Sequence, residues 1–324
     1  MSNPTPSDVH VDSALTSISI AFIQNSTSFV SHRVFPTLTV QKQSDRYFIF
    51  NRGDFHRDQA EVRAPGTEAA TGSYDLDNTP TYFANVKAFR QLIPDEVRAN
   101  ADAAADPDRA AAEYVLNKMM LARETSWVAN NFTTGVWGND VTPTNLWDTA
   151  SSTPIEDVET GITQIMQDTG YKPNKLTISR PVYAALRNNP GIVDRIKFSG
   201  AVGPNNAAIV NLQTMAQVFD VEEVLVANAV VNIAAEGAAP VNSFIAGNNA
   251  LLSYAPRSPS LLTPSAGYTF AWSGVFGAQN EMGIAVMNYR LREGRHSDVV
   301  EGHLAVDQKL VAAECGYFFS GVVS

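Results

Sequence analysis

Apolar side chains come in blocks along this chain, and in one stretch they almost stop. Tyr47, Phe48, Ile49 and Phe50 read as a strand, being aromatic or β-branched. From Asn51 to Pro80 only Phe55, Val62, Tyr74 and Leu76 carry sizeable apolar side chains, among alanine, glycine and charge. Residues 81–93, TYFANVKAFRQLI, resume the strand pattern. Two strand signals thus bracket a tract that cannot build a core, and the simplest geometry is a long two-stranded arm. An isolated hairpin is marginal in water. The arm is therefore expected to be mobile in a free subunit and ordered on a neighbouring one.

The amino-terminal segment poses the converse question. MSNPTPSD is polar and reads as a loose end. Ile18, Ile20, Phe22, Ile23, Phe29, Val30, Val34 and Phe35 then have something to bury and no partner nearby in sequence. Burial between subunits is the expectation for them. In RVFPTLTV, Pro36 marks an extended turn into a strand.

Residues 106–130 read as a long helix. Asp106 is the N-cap, Pro107 takes the first helical position, and Asp108 meets the helix dipole favourably. Val115, Leu116, Met119, Met120, Ala122 and Trp127 cover more than one stripe, which predicts packing on two sides. A second helix is signalled by TPIEDVETGITQIMQDTG, with capping-box spacing between Thr153 and Glu156 and a stop at Gly170. A strand over Leu176–Ser179 leads into a helix from Pro181, and another helix near 207–219 precedes the strand VEEVLVANAVVNIA. After residue 240 the pattern is strands and turns, including GYTFAWSG, GIAVMNYRLRE and KLVAAECGYFFSGVV. The fold class is α+β.

Composition is ordinary for a globular protein, with 44% hydrophobic and 17% charged residues in 324. No secretory leader or membrane-spanning run is evident, so synthesis in the cytoplasm is the default. The single cysteine, Cys315, rules out an internal disulfide, and its apolar neighbours suggest a buried thiol. The net charge is −10. Most of the excess lies in residues 101–170, which hold 3 basic against 11 acidic side chains. A tight phosphate-gripping nucleic-acid binder would carry a basic footprint instead.

The motifs of catalysis are missing. There is no phosphate-cradling loop, no HExxH or CxxC zinc pattern and no GxSxG elbow. His296-Ser297-Asp298 has triad residue types, but adjacent side chains on an extended chain point to opposite faces. Asp75 and Asp77 lack the glycine and terminal glutamate of a calcium loop and read as a solvated turn. Arg52-Gly53-Asp54 is turn chemistry after a strand rather than an adhesion motif. No catalytic, cofactor or metal residues are assigned, and a structural protein is favoured over an enzyme.

The order of features carries a resemblance: VFPTLTVQKQSDRYFIFNRGDFHRD with RAPGTEA after it, PNKLTISRPVYAALRNNPGIVDRI in the middle, LLSYAPRSPSLLTPSAGYTFAW, and the terminal VAAECGYFFSGVV. Over nearly its whole length the chain resembles the major capsid proteins of tailed bacteriophages, with the HK97-like fold. The resemblance implies an N-arm over residues 1–42 and an extended E-loop over 43–88. It implies a peripheral domain over 89–173 with its spine helix at about 106–130, an axial domain over 174–270, and a return to the peripheral-domain sheet over 271–324. It implies self-assembly through pentamers and hexamers into an icosahedral shell enclosing double-stranded DNA. The shell is a virion part made in the cytoplasm of a host bacterium. Arg46, Arg52, Asp54, Arg57, Arg63, Phe22, Phe29 and Phe35 become the expected inter-subunit contacts.

Only about forty residues precede the E-loop-like strand, too few for the helical scaffold that many such proteins carry. A separate scaffolding protein is therefore expected, with a portal, a possible decoration protein, only weak non-specific contact with packaged DNA, and no membrane. The alternatives are an encapsulin-like nanocompartment enclosing cargo protein, and a hydrolase using His296 or His303.

Overall fold

A computed structural model describes residues 24–101, 106–198, 210–257, 263–274, 282–291 and 296–324. Two five-stranded sheets organise them. The first is built on the fourteen-residue strand Ser297–Leu310. Asn85–Pro94 and Ile284–Leu291 flank its first part, both antiparallel. Its far end pairs with Gly267–Trp272, to which Thr37–Val40 adds in parallel. The long helix Pro107–Asn131 lies across one face of this sheet. Gly302 permits the close approach: a Cβ there would stand 2.6 Å from Cγ1 of Val115 and 3.0 Å from Cγ of Met119. Ile93, Ala111, Val115 and Val300 fill the contact.

The second sheet runs in the order Asn139–Val141, Gly316–Phe319, Ala250–Ser253, Lys175–Ser179, Glu223–Ala227. Strand side chains alternate between faces. Leu176, Ile178, Val224, Val226, Leu252, Tyr317 and Phe319 share a core with the helices Pro154–Thr169, Arg180–Asn188, Pro190–Phe198 and Leu212–Val218. Leu225, Leu251 and Phe318 face the other way and pack with Trp127, Phe132, Trp137 and Phe35. The carboxy-terminal end of the long helix is thus buried against the second sheet, while its middle packs on the first.

Local signals account for most of the boundaries. The Asp106 side chain accepts from the backbone N–H groups of Asp108 and Arg109, as an N-cap should. Gly170 closes the second helix with φ 75°, the left-handed conformation that favours glycine. The Thr153–Glu156 capping box does not form: the Thr153 side chain makes no capping hydrogen bond. The terminal run LVAAECGYFFSGVV is not one strand either. It breaks at a 3-10 turn, Ala313–Cys315, so that Ser297–Leu310 serves the first sheet and Gly316–Phe319 the second. Cys315 is buried at this joint, and burial pushes its thiol up to about 12.

The largest departure from the sequence reading concerns residues 29–35. Phe29 is 2% exposed and Phe35 0%, each inside its own subunit. Phe29 packs with Met119, Met120 and Leu304, and Phe35 meets Trp127 and Trp137 edge-on, at centroid distances of 5.9 and 6.3 Å. They close the subunit's own core, which corrects the expectation that they bury between subunits. Phe22 lies outside the described residues.

Candidate assembly surfaces

The polar tract forms the hairpin that its flanking strands require. Ser44–Arg46 pairs with Thr81–Phe83, and beyond it Ile49–Phe50 pairs with Leu76–Asp77, both antiparallel. The base is anchored: Tyr82 stacks on Phe270 at 4.5 Å, and Tyr47 packs on the same ring. Past the second pairing, every residue from 51 to 80 is exposed except the partly buried Asp54 and Pro80. Asn51 caps the short helix Arg52–Phe55 by accepting from the Gly53 N–H, and a Pro65-Gly66 turn follows, closed by Thr67 N–H donating to the Ala64 carbonyl. Asp77 accepts from the backbone and hydroxyl of Thr79, the solvated turn expected there.

The expected contact residues on this hairpin differ in what they already touch. Arg46 is exposed opposite Thr81. Arg52 donates to the Asp168 carbonyl at 3.0 Å and lies 4.0 Å from Glu314, so it ties the hairpin to its own subunit. Asp54 accepts from the Asp75 N–H across the hairpin. Arg57 and Arg63 are exposed and have no ion-pair partner among the described residues. The sequence reading missed a cluster of rings: Phe50, Phe55 and Tyr74 lie 5.8–5.9 Å apart, and Phe55 and Tyr74 are 58% and 61% exposed. Their scattered positions, 50, 55 and 74, gave no periodic signal; only hairpin pairing brings them together.

At the root of the amino-terminal segment sits a buried polar joint. The two carboxylate oxygens of Glu124 accept from the backbone N–H groups of Val30 and Ser31, each at 3.0 Å. These are donors at the start of the short helix Ser31–Val34, where an anion is favoured. Arg123, also buried, reaches the Thr37 hydroxyl at 3.2 Å, and burial lowers its pKa to about 10. Burial also pushes the Glu124 carboxyl up. His32 is held down to about 4, first by burial and then by the cations Arg123, Arg33 and Lys175.

Among the described residues the candidates offered by the sequence do not come together as a catalytic centre. Asp298 is bound by Arg98 and, at 3.3 Å, by Arg290, so His296-Ser297-Asp298 is not a triad. His303 stands 3.5 Å from Glu301, whose other oxygen takes the Tyr289 hydroxyl at 2.5 Å. Among the described residues no group of three or more His, Cys, Asp or Glu could hold a metal ion.

No family model matches the chain. It is 24% identical over 325 residues to the major capsid protein of Burkholderia phage BcepMu, and the match covers 96% of each chain. Among solved structures it is similar to a phage-related protein from Bordetella bronchiseptica, with a TM-score of 0.68, 20% identity, and 92% and 93% of the two chains covered. The capsid of cyanophage P-SCSP1u gives a TM-score of 0.60 at 11% identity, covering 98% of this chain and 94% of that one. An encapsulin from Synechococcus elongatus gives 0.57 at 11% identity, covering 97% of both. The chain has the HK97-like fold.

Proposed function

We infer that this chain is the major capsid protein of a tailed bacteriophage, a structural subunit that assembles with copies of itself into the icosahedral shell of the head. The end-to-end match to a curated major capsid protein carries this reading. The hairpin supports it physically. Beyond the Arg52 tie to Asp168 and the small ring cluster, an exposed thirty-residue tract without a core gains order from a surface it does not own, and in a shell that surface is the next subunit. Ordering a loop costs roughly 1–2 kcal/mol per residue in backbone entropy, so the contact must be extensive.

The finer assignments belong to the same reading. Residues 43–88 are the E-loop, and the peripheral domain (89–173 with the return over 271–324) and axial domain (174–270) expected from the resemblance are centred on the first and second sheets, although Asn139–Val141, Pro154–Thr169 and Gly316–Phe319, expected in the peripheral part, pack with the second sheet. Arg57, Arg63 and the ring cluster of Phe50, Phe55 and Tyr74 are the side chains free to meet a neighbour. The chain is made in the host cytoplasm, has no enzymatic role, and uses a separate scaffolding protein and a portal. Packaged DNA touches the shell weakly, because an acidic subunit has no excess of cationic side chains to neutralise phosphates and release their condensed counterions.

The likeness to an encapsulin makes a cargo-protein compartment the second reading. Nuclease-protected nucleic acid in particles purified from an infected or induced host supports the phage head. Particles filled with a single protein and no DNA would support the compartment.

A further inference from the structure

The hairpin is attached to its own subunit at two points. The first is its root, where Tyr82 stacks on Phe270 and the Phe83 N–H donates to Asp307 at 2.8 Å. An arm held at its root alone can swing about it. The second point lies past the Ile49–Phe50 pairing, where the Arg52 side chain crosses to the body of the subunit. One of its nitrogens donates to the Asp168 carbonyl at 3.0 Å, and another lies 4.0 Å from Glu314.

The receiving site suits a cation. Asp168 is in the last turn of helix Pro154–Thr169, whose final carbonyls have no partner within the helix and carry the negative end of its dipole. Its side chain is held in turn, accepting from Asn139 at 3.3 Å and from Gln164 at 3.1 Å. Glu314 adds a full charge from the turn that joins the two sheets. The hairpin is braced at the same level. The Asn51 N–H donates to the Asp75 carbonyl at 3.1 Å, and Asp54 accepts from the Asp75 N–H at 3.0 Å, so both sides of the hairpin move with Arg52.

What the tie leaves uncovered indicates its role. A contact that restrains the arm would hide the side chains a neighbour needs. Here Phe55, Tyr74, Arg57 and Arg63 are all exposed while Arg52 is engaged. A loop already fixed in its binding geometry loses less entropy when it is captured. We propose that Arg52 is a positioning residue for assembly, a strut that sets the angle at which the hairpin meets the neighbouring copy of the chain. The proposal rests on the shell reading above.

Arg52→Ala in the full chain tests it with two readings. Spin labels on Ser73→Cys and Glu159→Cys, both exposed positions, report the distance between hairpin and body in the unassembled subunit. Cys315 is buried and stays unlabelled. The distance distribution should be narrow with Arg52 and broad without it. Light scattering gives the concentration at which shells form. Arg52→Ala should raise it about 2- to 5-fold, the range that an exposed ion pair contributes. Arg52→Lys keeps a charge and a donor and should recover part of both effects. The midpoint of denaturant unfolding should stay at the wild-type value, because the Arg52 side chain is half-exposed; a merely structural role would move it.

Three results would overturn the strut: a distance distribution equally broad or equally narrow with and without Arg52, assembly of Arg52→Ala at the wild-type concentration or a lower one, or a fall in subunit stability that accounts for the assembly loss. If Arg52→Ala fails to fold, Arg52→Gln is read in the same way. If the unmodified chain forms no shells, the shell reading fails; if it does and the Arg52 variant assembles equally well, only the strut fails.

Discussion

Removing the Glu124 carboxylate should loosen the amino-terminal segment from its own subunit. Glu124 is 0% exposed, and it is the acceptor for both the Val30 and Ser31 N–H groups. In Glu124→Ala both donors lose their partner where water does not reach. A buried donor left unsatisfied costs about 1–3 kcal/mol, so the pair costs about 2–6 kcal/mol. Arg123, buried beside it, also loses a compensating charge, which moves the value toward the upper end. Set against a total stability of about 5–15 kcal/mol, this is a large fraction. Glu124→Gln fills the same volume, but its one amide oxygen replaces two acceptors and its NH2 opposes a donor. About half the loss, ~1–3 kcal/mol, is expected. Denaturant unfolding of the unassembled subunit gives the energy. Hydrogen exchange gives the place, with faster exchange expected in residues 29–35. Wild-type midpoints and wild-type exchange in both variants would refute the reasoning and return residues 29–35 to an inter-subunit role.

Three further outcomes are expected. Phe35→Ala should destabilise the isolated subunit by about 3–5 kcal/mol, the cost of truncating a fully buried ring, measured by denaturant unfolding; a residue serving only the interface would leave that value unchanged. Between pH 6.5 and about 4 the unfolded chain protonates His32 while the folded one keeps it neutral, so the unfolded state binds more protons and stability falls as pH drops through that window. After allowance for solvent screening the loss is on the order of 1–2 kcal/mol, and His32→Gln should flatten that part of the pH–stability curve. Trypsin should cut at Arg57 and Arg63 in free capsomers and not in shells, read by mass spectrometry; equal resistance or equal cleavage in both states counts against docking of the hairpin on a neighbour.

What the sequence made legible was what local chemistry decides. Asp106 and Pro107 announce the long helix, Gly170 ends the next one, and the apolar gap after Phe50 announces the hairpin. Contacts between distant residues stayed hidden. Phe35 finds Trp127, Trp137 and the second sheet far along the chain, and no local pattern distinguishes that burial from burial against another subunit. Thr153 has capping-box spacing, yet its side chain makes no capping bond. The break at Ala313–Cys315 coincides with Glu314 and Gly316, but a single charge and a glycine in a strand-like run do not by themselves announce a transfer between two sheets.

Electron microscopy of the purified full chain, expressed alone and with a candidate scaffolding protein, shows whether it builds a closed shell. Closed icosahedral particles with five- and six-membered rings are expected, in which the hairpin of residues 43–88 lies ordered across the neighbouring subunit. A subunit that stays monomeric under every salt and scaffold condition, or particles in which the hairpin folds only onto its own subunit, would contradict that expectation.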